Sequence, residues 1–240
     1  MIVAAAVPGL VGGLDWESAA LYHRVLNVRA DQRREAFEAR SAGGPGGGLA
    51  LRLDAPDPGV LARALAEGDV DGLRRELGSA GGRLAAAGAS VLLLCSGALH
   101  VAADAVAEAA AAAGARFLDL RPALADELRA RGLGRVLLLD GEAPPGREGA
   151  AAWTAPLARQ GIEVLLPPDT HRAELARIVT EELRHGRGSP ASRAWLVSLV
   201  EGALRRDGVD AVVLGNAPLG LFLNGHPMDR PWIDATSVHA

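Results

Sequence analysis

The segments Ala87-Gly-Ala-Ser-Val-Leu-Leu-Leu-Cys-Ser-Gly97 and Asp207-Gly-Val-Asp-Ala-Val-Val-Leu-Gly-Asn-Ala217 follow the same pattern and lie 120 residues apart. Each has a glycine after a helical stretch, a run of four apolar residues and a loop of small residues. An uninterrupted apolar run is typical of a strand that is buried on both faces. Because the offset is half of the 240-residue chain, the pair predicts two pseudo-symmetric α/β lobes. The alternative is that helix–glycine–strand units simply recur in any α/β protein.

The rest of the chain alternates in the same way between short apolar runs and longer amphipathic or alanine-rich segments. The apolar runs are Ile2–Val7, Val91–Leu94, Val136–Leu139, Val164–Leu166 and Ala211–Leu214. The helical candidates are Ser18–Val28, Val70–Ala87, Ala102–Ala113, Arg121–Arg131, His171–His185 and Ser192–Asp207. This alternation predicts a mostly parallel sheet flanked by helices in each lobe. We expect loops at 41–48 and 141–149, an N-terminal lobe of residues 1–100 plus 215–240, and a C-terminal lobe of residues 101–214.

Composition excludes several classes of function. All 25 basic residues are arginine, so no lysine can hold pyridoxal phosphate as a Schiff base, and we expect no cofactor. The single cysteine rules out an internal disulfide and any zinc site with two or more thiolates. A net charge of -4 gives no reason to expect nucleic acid. No apolar run is long enough to span a membrane, and the start of the chain has the pattern of a buried strand, not of a signal peptide, which predicts a cytoplasmic protein.

Several motifs occur in order along nearly the whole chain. They are Gly9-Leu-Val-Gly-Gly-Leu-Asp-Trp-Glu-Ser18, Leu94-Cys-Ser-Gly-Ala-Leu-His100, Leu214-Gly-Asn-Ala-Pro-Leu219 and Asp234-Ala-Thr-Ser-Val-His-Ala240. Together they resemble the aspartate/glutamate racemase family. Members of that family carry Gly-Gly-Met, Leu-Cys-Thr-Asn-Thr-Met-His, Gly-Cys-Thr-Glu and Asp-Thr-Thr-x-Ile-His-Ala at the corresponding places.

The resemblance implies a two-lobed α/β enzyme, commonly a homodimer, that acts on a small molecule without pyridoxal phosphate or any other cofactor. Members of the family remove an α-proton with a thiolate on one face of the substrate and return a proton from a thiol on the other. A thiol suits this work because its pKa of about 8.5 can be tuned toward neutrality. The implied cleft lies between the segments Gly9–Glu17, Cys95–His100, Asp140–Gly149, Gly215–Leu219 and Asp234–His239.

At the two catalytic positions this chain has neither thiol. The first position is Ser96, and the second is Asn216, whose amide has no useful acid/base pKa. The positions that the resemblance assigns to substrate binding are Leu14, Asp15, Trp16, Gly97, Ala98, Asp140, Gly141, Ala217 and Pro218. Most have become small or apolar. Asp15 adds a negative charge where a carboxylate usually rests, which costs about 1–4 kcal/mol at roughly 4 Å. Ordinary racemisation of aspartate is therefore not expected.

Two histidines remain as candidate acid/base groups. His100 and His239 occupy family positions near the two halves of the site. Either could form a nucleophile–base arrangement with Ser96, supported by Asp15 or Asp234. The alternative is that both histidines cap loops or bind backbone groups. The other four histidines show no metal-ligand spacing, and we expect no metal site.

Cys95 and the tryptophans leave further alternatives open. Cys95 precedes Ser96 at the end of a strand, where neighbouring side chains point to opposite faces, so we expect it to face away from the ligand. It is either an inert buried thiol or a redirected single-thiol catalyst. Trp16 and Trp232 lie near the site loops, where they could wall an apolar pocket. All four tryptophans are otherwise core candidates.

Three functional hypotheses follow. The chain is a diverged enzyme of this family, repurposed for isomerase, lyase or cyclisation chemistry on a small, less polar substrate. Alternatively, it is a catalytically inactive homologue that binds a ligand or a partner, or it is an aspartate or glutamate racemase with an unusual base.

Overall fold

The structure is a computed structural model that describes residues 6–38, 48–141, 147–223, 226–227 and 230–240, and the side chains of all of these except 34–38 and 147–150. Its strands form two sheets of four, and every pairing within them is parallel. In these ranges no helix has both the length and the apolar character needed to cross a bilayer.

The two sheets come from successive parts of the chain. The first consists of β1 (Pro8–Val11), β2 (Arg52–Asp54), β3 (Val91–Leu94) and β4 (Arg116–Leu118), in the spatial order β2-β1-β3-β4. The second consists of β5 (Arg135–Leu139), β6 (Glu163–Leu165), β7 (Ala211–Leu214) and β8 (Trp232–Asp234), in the order β6-β5-β7-β8. Each order reads second, first, third, fourth along the chain. The strands of the two repeated segments, β3 and β7, hold the same place in each sheet, which confirms the prediction of two pseudo-symmetric α/β lobes.

Helices cover the faces of both sheets. They are α1 (Trp16–Glu38), α2 (Pro58–Glu67), α3 (Val70–Ala86), α4 (Ala103–Ala112), α5 (Leu120–Ala130), α6 (Arg147–Ala158), α7 (Asp169–Arg177), α8 (Pro190–Asp207), α9 (Ala217–Leu223) and α10 (Ala235–His239). A 3-10 turn at Ala98–Ala102 precedes α4, and a π-helical turn at Ile178–Glu182 and a 3-10 turn at Leu183–His185 continue α7.

Side-chain capping explains where several helices begin. The carboxylate of Asp57 accepts hydrogen bonds from the backbone N–H groups of Gly59 and Val60 at the start of α2, and Asp69 accepts one from Gly72 at the start of α3. Ser189 caps α8 in the same way through the N–H of Ser192. Each cap satisfies a donor that the first helical turn leaves without a partner.

The first strand lies later in the chain than predicted. The sequence places a strand at Ile2–Val7, whereas β1 begins at Pro8, and residues 1–5 lie outside the described residues. Proline lacks an N–H group and is therefore tolerated as the first residue of a strand. All four residues of β1 are buried between β2 and β3, which fixes their register. The predicted loop at 41–48 lies almost wholly outside the described residues, as do residues 142–146 of the second loop.

The sheets also divide the chain differently from the predicted lobe boundaries. β4, inside the predicted C-terminal lobe 101–214, pairs with β3 in the first sheet. β8, inside the segment 215–240 that was assigned to the N-terminal lobe, pairs with β7 in the second sheet. Hydrogen bonding thus places the change of lobe between β4 and β5. β2, β4 and β8 are three-residue edge strands without a continuous apolar run, so hydropathy alone gives no sign of them.

Candidate functional site

The carboxyl ends of β3, β5 and β7 meet at the junction of the lobes, where ligands of α/β proteins usually bind. A Cβ atom built on Gly97, after β3, would lie 2.5 Å from the carbonyl oxygen of Gly215, after β7. It would also lie 2.5 Å from Cζ2 of Trp153 on α6. The indole N–H of Trp153 donates a hydrogen bond of 2.6 Å to Asp140, after β5. The side chain of Trp153, only 2% exposed, therefore occupies the centre where the three strand ends converge.

Ser96 and Asn216 flank this centre, and both are buried. The Oγ of Ser96 and the Nδ2 of Asn216 are enclosed and have no hydrogen-bond partner among the described residues. The Oδ1 of Asn216 accepts a hydrogen bond from the backbone N–H of Leu219 at 3.0 Å. Asn216 thus helps to cap the start of α9, while its amide nitrogen and the serine hydroxyl remain uncompensated. Each such group costs about 1–3 kcal/mol.

The remaining positions that the sequence assigns to substrate binding lie in four different surroundings. Ala98, Ala217 and Pro218 are buried. Leu14 packs in the core between the first sheet and its helices. Gly141 packs inside the second lobe, where an added Cβ would lie 2.6 Å from Cγ2 of Val179. Asp15 and Trp16 lie apart from the centre, at the start of α1.

Cys95 lies on the face of β3 opposite the centre. It packs in a small cluster with Leu10, Tyr22 and Leu93, between the first sheet and α1. Burial raises the pKa of the Cys95 thiol, and the charge of Asp15 adds to this increase. A thiol with a raised pKa is neither a ready proton acceptor nor a ready nucleophile. The surroundings are those of an inert buried cysteine.

His100 binds the backbone of Ser96 and not its hydroxyl. Its Nδ1 lies 2.9 Å from the carbonyl oxygen of Ser96, and since a carbonyl can only accept, Nδ1 carries the proton. Its Nε2 has no hydrogen-bond partner in the described part of the chain and lies 4.0 Å from Oδ1 of Asp119. Burial lowers the pKa of His100 to about 3, and the neighbouring His239 adds to this decrease. The Ser96–His100 nucleophile–base pair considered from the sequence is therefore not formed.

His239 joins the two lobes through both of its ring nitrogens. Its Nε2 donates to the carbonyl oxygen of Leu118 at 2.8 Å, so its Nδ1 accepts the hydrogen bond from the Tyr22 hydroxyl at 2.6 Å. Burial lowers the pKa of His239 to about 4. The rings of His100 and His239 lie close together, 6.0 Å between centroids. Both rings are neutral at pH 7, and each donates its ring proton to a backbone carbonyl group. This matches the alternative from the sequence in which both histidines bind backbone groups.

An open pocket of about 390 Å³ lies beside this closed centre, at the carboxyl ends of β1 and β2. We call it the Trp16 pocket. Its walls are predominantly apolar and are formed by Gly12, Gly13, Asp15, Trp16, Ala19, Ala20, His23, Leu53, Ala55 and Pro58. The indole of Trp16 is 72% exposed. Gly13 connects the pocket to the centre, because a Cβ on Gly13 would lie 2.7 Å from Cβ of Ser96.

Trp232 lies on a different surface from Trp16. It lines a groove of about 500 Å³ between α1 and the second lobe, together with Arg24, Asp234 and Ser237. Arg29 crosses one end of this groove and donates a hydrogen bond to the carbonyl oxygen of Ser237. Within the described ranges, no three His, Cys, Asp or Glu side chains come together in a way that could hold a metal ion.

Trp153 is the residue at this junction that sequence reasoning missed. Its position inside an alanine-rich helix marks it only as a core candidate. Gly97 was a usable signal for a ring at this place. The corresponding position is asparagine in the family motif, and the absence of a side chain leaves room for a ring from another segment. Nothing in the local sequence shows which tryptophan supplies that ring.

Comparisons with known proteins agree with this fold. The profile of the Asp/Glu/hydantoin racemase family matches residues 11–240. A candidate Asp/Glu racemase from Yersinia pestis is 27% identical, with 98% of this chain and 95% of that chain covered and a TM-score of 0.79. An aspartate racemase homologue from Pyrococcus horikoshii OT3 is 22% identical, with 97% and 95% covered and a TM-score of 0.73. The maleate isomerase Iso from Pseudomonas putida S16 is 16% identical, with 98% and 89% covered and a TM-score of 0.54.

The chain therefore belongs to the Asp/Glu/hydantoin racemase family. Its single cysteine is Cys95, which is buried.

Proposed function

We propose that this chain is a ligand-binding member of the family that does not perform two-sided proton transfer and that binds a small molecule with a largely apolar body in the Trp16 pocket. The observation that carries the proposal is the position of Trp153. Its indole packs against Gly97, which also lies against the carbonyl oxygen of Gly215, so the place where the strand ends of the two lobes converge has no room even for an added Cβ atom. Proton transfer from two sides requires open space in which the substrate carbon can lie between two acid/base groups. The packing at this junction leaves no such space.

The titratable groups around the centre support the same proposal. Inversion of a carbon by proton exchange needs an acid and a base on opposite sides of the substrate, each with a pKa near neutrality. The pKa of His100 is lowered to about 3 and that of His239 to about 4, while the pKa of Cys95 is raised. These values argue against the sequence-based alternative of a racemase with an unusual base.

The Trp16 pocket has the properties of a small-molecule site. Its volume of about 390 Å³ is within the common range for ligand pockets of about 300–1,000 Å³. It lies at the carboxyl ends of parallel strands, where α/β proteins bind ligands. Its walls are largely apolar, which matches the loss of polar groups at the family's substrate-holding positions. Cytoplasmic location and a homodimer remain predictions alongside this proposal.

Binding of a neutral aromatic probe tests the proposal. We expect phenethyl alcohol to shift the fluorescence of Trp16 to shorter wavelength, because it displaces water from the exposed indole, and the shift is measured as the difference between the wild-type protein and Trp16→Phe. The variant Ala20→Leu adds three carbon atoms on the pocket wall and is expected to weaken binding at least about tenfold, since displacing a ligand of this size forfeits more than about 1.4 kcal/mol of apolar contact.

A matched control is available on α8. Ala194 is also an exposed helical alanine on a pocket wall, but in a different groove beside Phe222. Ala194→Leu should therefore leave the binding of phenethyl alcohol unchanged. Equal weakening by both substitutions, or no saturable signal from Trp16 in the wild-type protein, would reject the Trp16 pocket as the binding site.

A second candidate function is a repurposed isomerase, lyase or cyclase acting on a small, less polar substrate. It is favoured by the uncompensated Oγ of Ser96 and Nδ2 of Asn216, two polar groups kept at equivalent strand ends at a cost in stability. Under this candidate, Ser96→Ala abolishes turnover of the substrate. Under the ligand-binding proposal, the same change leaves binding intact and leaves the free energy of unfolding equal or higher, because it removes an unsatisfied buried hydroxyl.

A further inference from the structure

We infer that the Trp16 pocket selects a ligand whose apolar body carries a cationic head, such as a primary amine, and rejects the corresponding carboxylate; this inference rests on the proposed ligand-binding function. The charged group that faces the ligand is Asp15, and the apolar body packs against Trp16, Leu53 and Pro58.

Asp15 is a buried carboxylate without an ion-pair partner among the described residues. It is 7% exposed, and its two oxygens accept hydrogen bonds from the backbone N–H of Ser18 at 2.6 Å and from the Ser18 hydroxyl at 2.9 Å. Both donors are neutral, so they stabilise the carboxylate without cancelling its charge. A cation in the pocket would meet a fixed negative charge, and an anion would be repelled by it.

The positive end of α1 already has an anionic partner, the carboxylate of Asp15. The first turn of a helix offers free N–H groups and a partial positive charge that usually favour an anion. Here the N–H of Ser18 and the positive end of the helix are directed at the Asp15 carboxylate. A carboxylate ligand would have to compete with a side chain that is covalently held in place.

Neighbouring charges add to the negative potential. Glu17 lies two residues from Asp15, and the pKa of its carboxyl is raised by burial and by the charge of Asp15, which shows that the two acids affect each other. Arg83 lies behind β2, but both oxygens of Asp54 accept its guanidinium N–H groups at 2.6 and 2.8 Å. That pairing leaves Arg83 little capacity to attract a ligand anion. Among the lining residues of the pocket, His23 is the one with a basic side chain.

The Trp16 indole is available to the cationic head. The Trp16 side chain is largely exposed to solvent. Among the described residues, the cation–π pair is formed by Arg193 and Phe222 and does not involve Trp16. A ligand ammonium group between the Trp16 ring and the Asp15 carboxylate would gain from both interactions.

Three probes with the same phenyl body test this inference. They are phenethylamine, phenethyl alcohol and hydrocinnamate, titrated by calorimetry at about pH 8, where free imidazole is neutral and the amine is charged. We expect the wild-type protein to bind the amine at least about tenfold more tightly than the carboxylate, with the alcohol between them. In Asp15→Asn the amide oxygen can still cap α1, and the ratio of amine to carboxylate affinity should fall to about twofold or less.

The control is the same substitution at another helix cap. Asp69→Asn alters the cap of α3 away from the pocket and should leave the ratio unchanged. If the carboxylate binds as well as the amine while the alcohol also binds, the charge inference is wrong and the ligand-binding function stands. Absence of binding by all three probes overturns the proposed function itself.

Discussion

Replacing Trp153 with alanine lowers the free energy of unfolding by about 3–5 kcal/mol, the usual cost of truncating a fully buried aromatic side chain. Trp153 is 2% exposed and packs with Leu138, Val213 and other core residues of the second lobe. The change opens a cavity at the convergence of the strand ends and removes the hydrogen bond from the indole to Asp140.

Guanidinium chloride unfolding followed by circular dichroism measures this loss, with Trp16→Ala as the matched variant. Trp16 is 72% exposed, and its replacement should cost less than about 1 kcal/mol because little buried surface is lost. Comparable losses for both variants would mean that Trp153 does not hold the centre closed.

Gly97→Ala is the second change with a large expected effect, a loss of about 1–3 kcal/mol or more from overpacking. The backbone of Gly97 has φ of -59° and ψ of -43°, which alanine adopts freely, so the cost is purely steric. The new methyl group would lie 2.5 Å both from the carbonyl oxygen of Gly215 and from the Trp153 ring. One or both must move.

A double-mutant cycle separates these two contacts. Adding Gly97→Ala to Trp153→Ala should cost less than adding it to the wild-type protein, because one of the two clashes is gone. The control is Gly82→Ala on α3, where an added Cβ has nothing within 4 Å and should stabilise the helix by about 0.5–1 kcal/mol. Strict additivity of the changes at 97 and 153 would show that the two residues do not share one space.

The packing at Gly97 and Trp153 explains why the departures from the family motif share a direction. A family member with asparagine at position 97 would place its side chain where this chain has the Trp153 ring. Gly97 and Trp153 therefore pack as a pair, since any side chain at position 97 would meet the ring. A site built to hydrogen-bond a polar substrate loses its discrimination when those partners are replaced.

The sequence predicts the fold well because its strongest signals are local. The apolar runs of β3 and β7 were predicted with their observed limits, since strands buried on both faces need no tertiary information to be recognised. The strands β2, β4 and β8 were missed because each is a three-residue edge strand without a continuous apolar run. The predicted lobe boundaries differ from the sheet boundaries for the same reason. The pairing of β4 and β8 determines which sheet the segments around them join.

Less of the candidate site could be predicted. Ser96 and Asn216 were assigned to equivalent strand ends, and the structure brings their loops together at Gly97 and Gly215. The occupation of that junction by Trp153 depends on side-chain packing between segments 56 residues apart, which no local pattern encodes. The states of His100 and His239 likewise depend on burial and on contacts made across the lobes.

Solvent deuterium exchange tests most directly whether the centre between the lobes still transfers protons. The protein is incubated with each enantiomer of aspartate and glutamate in deuterium oxide, and label at the α-carbon is followed by NMR. We expect no incorporation above the uncatalysed background for the wild-type protein. We expect the same for a folded Ser96→Cys/Asn216→Cys variant, because Trp153 and the Gly215 carbonyl group still fill the space around Gly97 where the two strand ends meet. Incorporation of deuterium by the wild-type protein would mean that the centre still transfers protons and would overturn the proposed function.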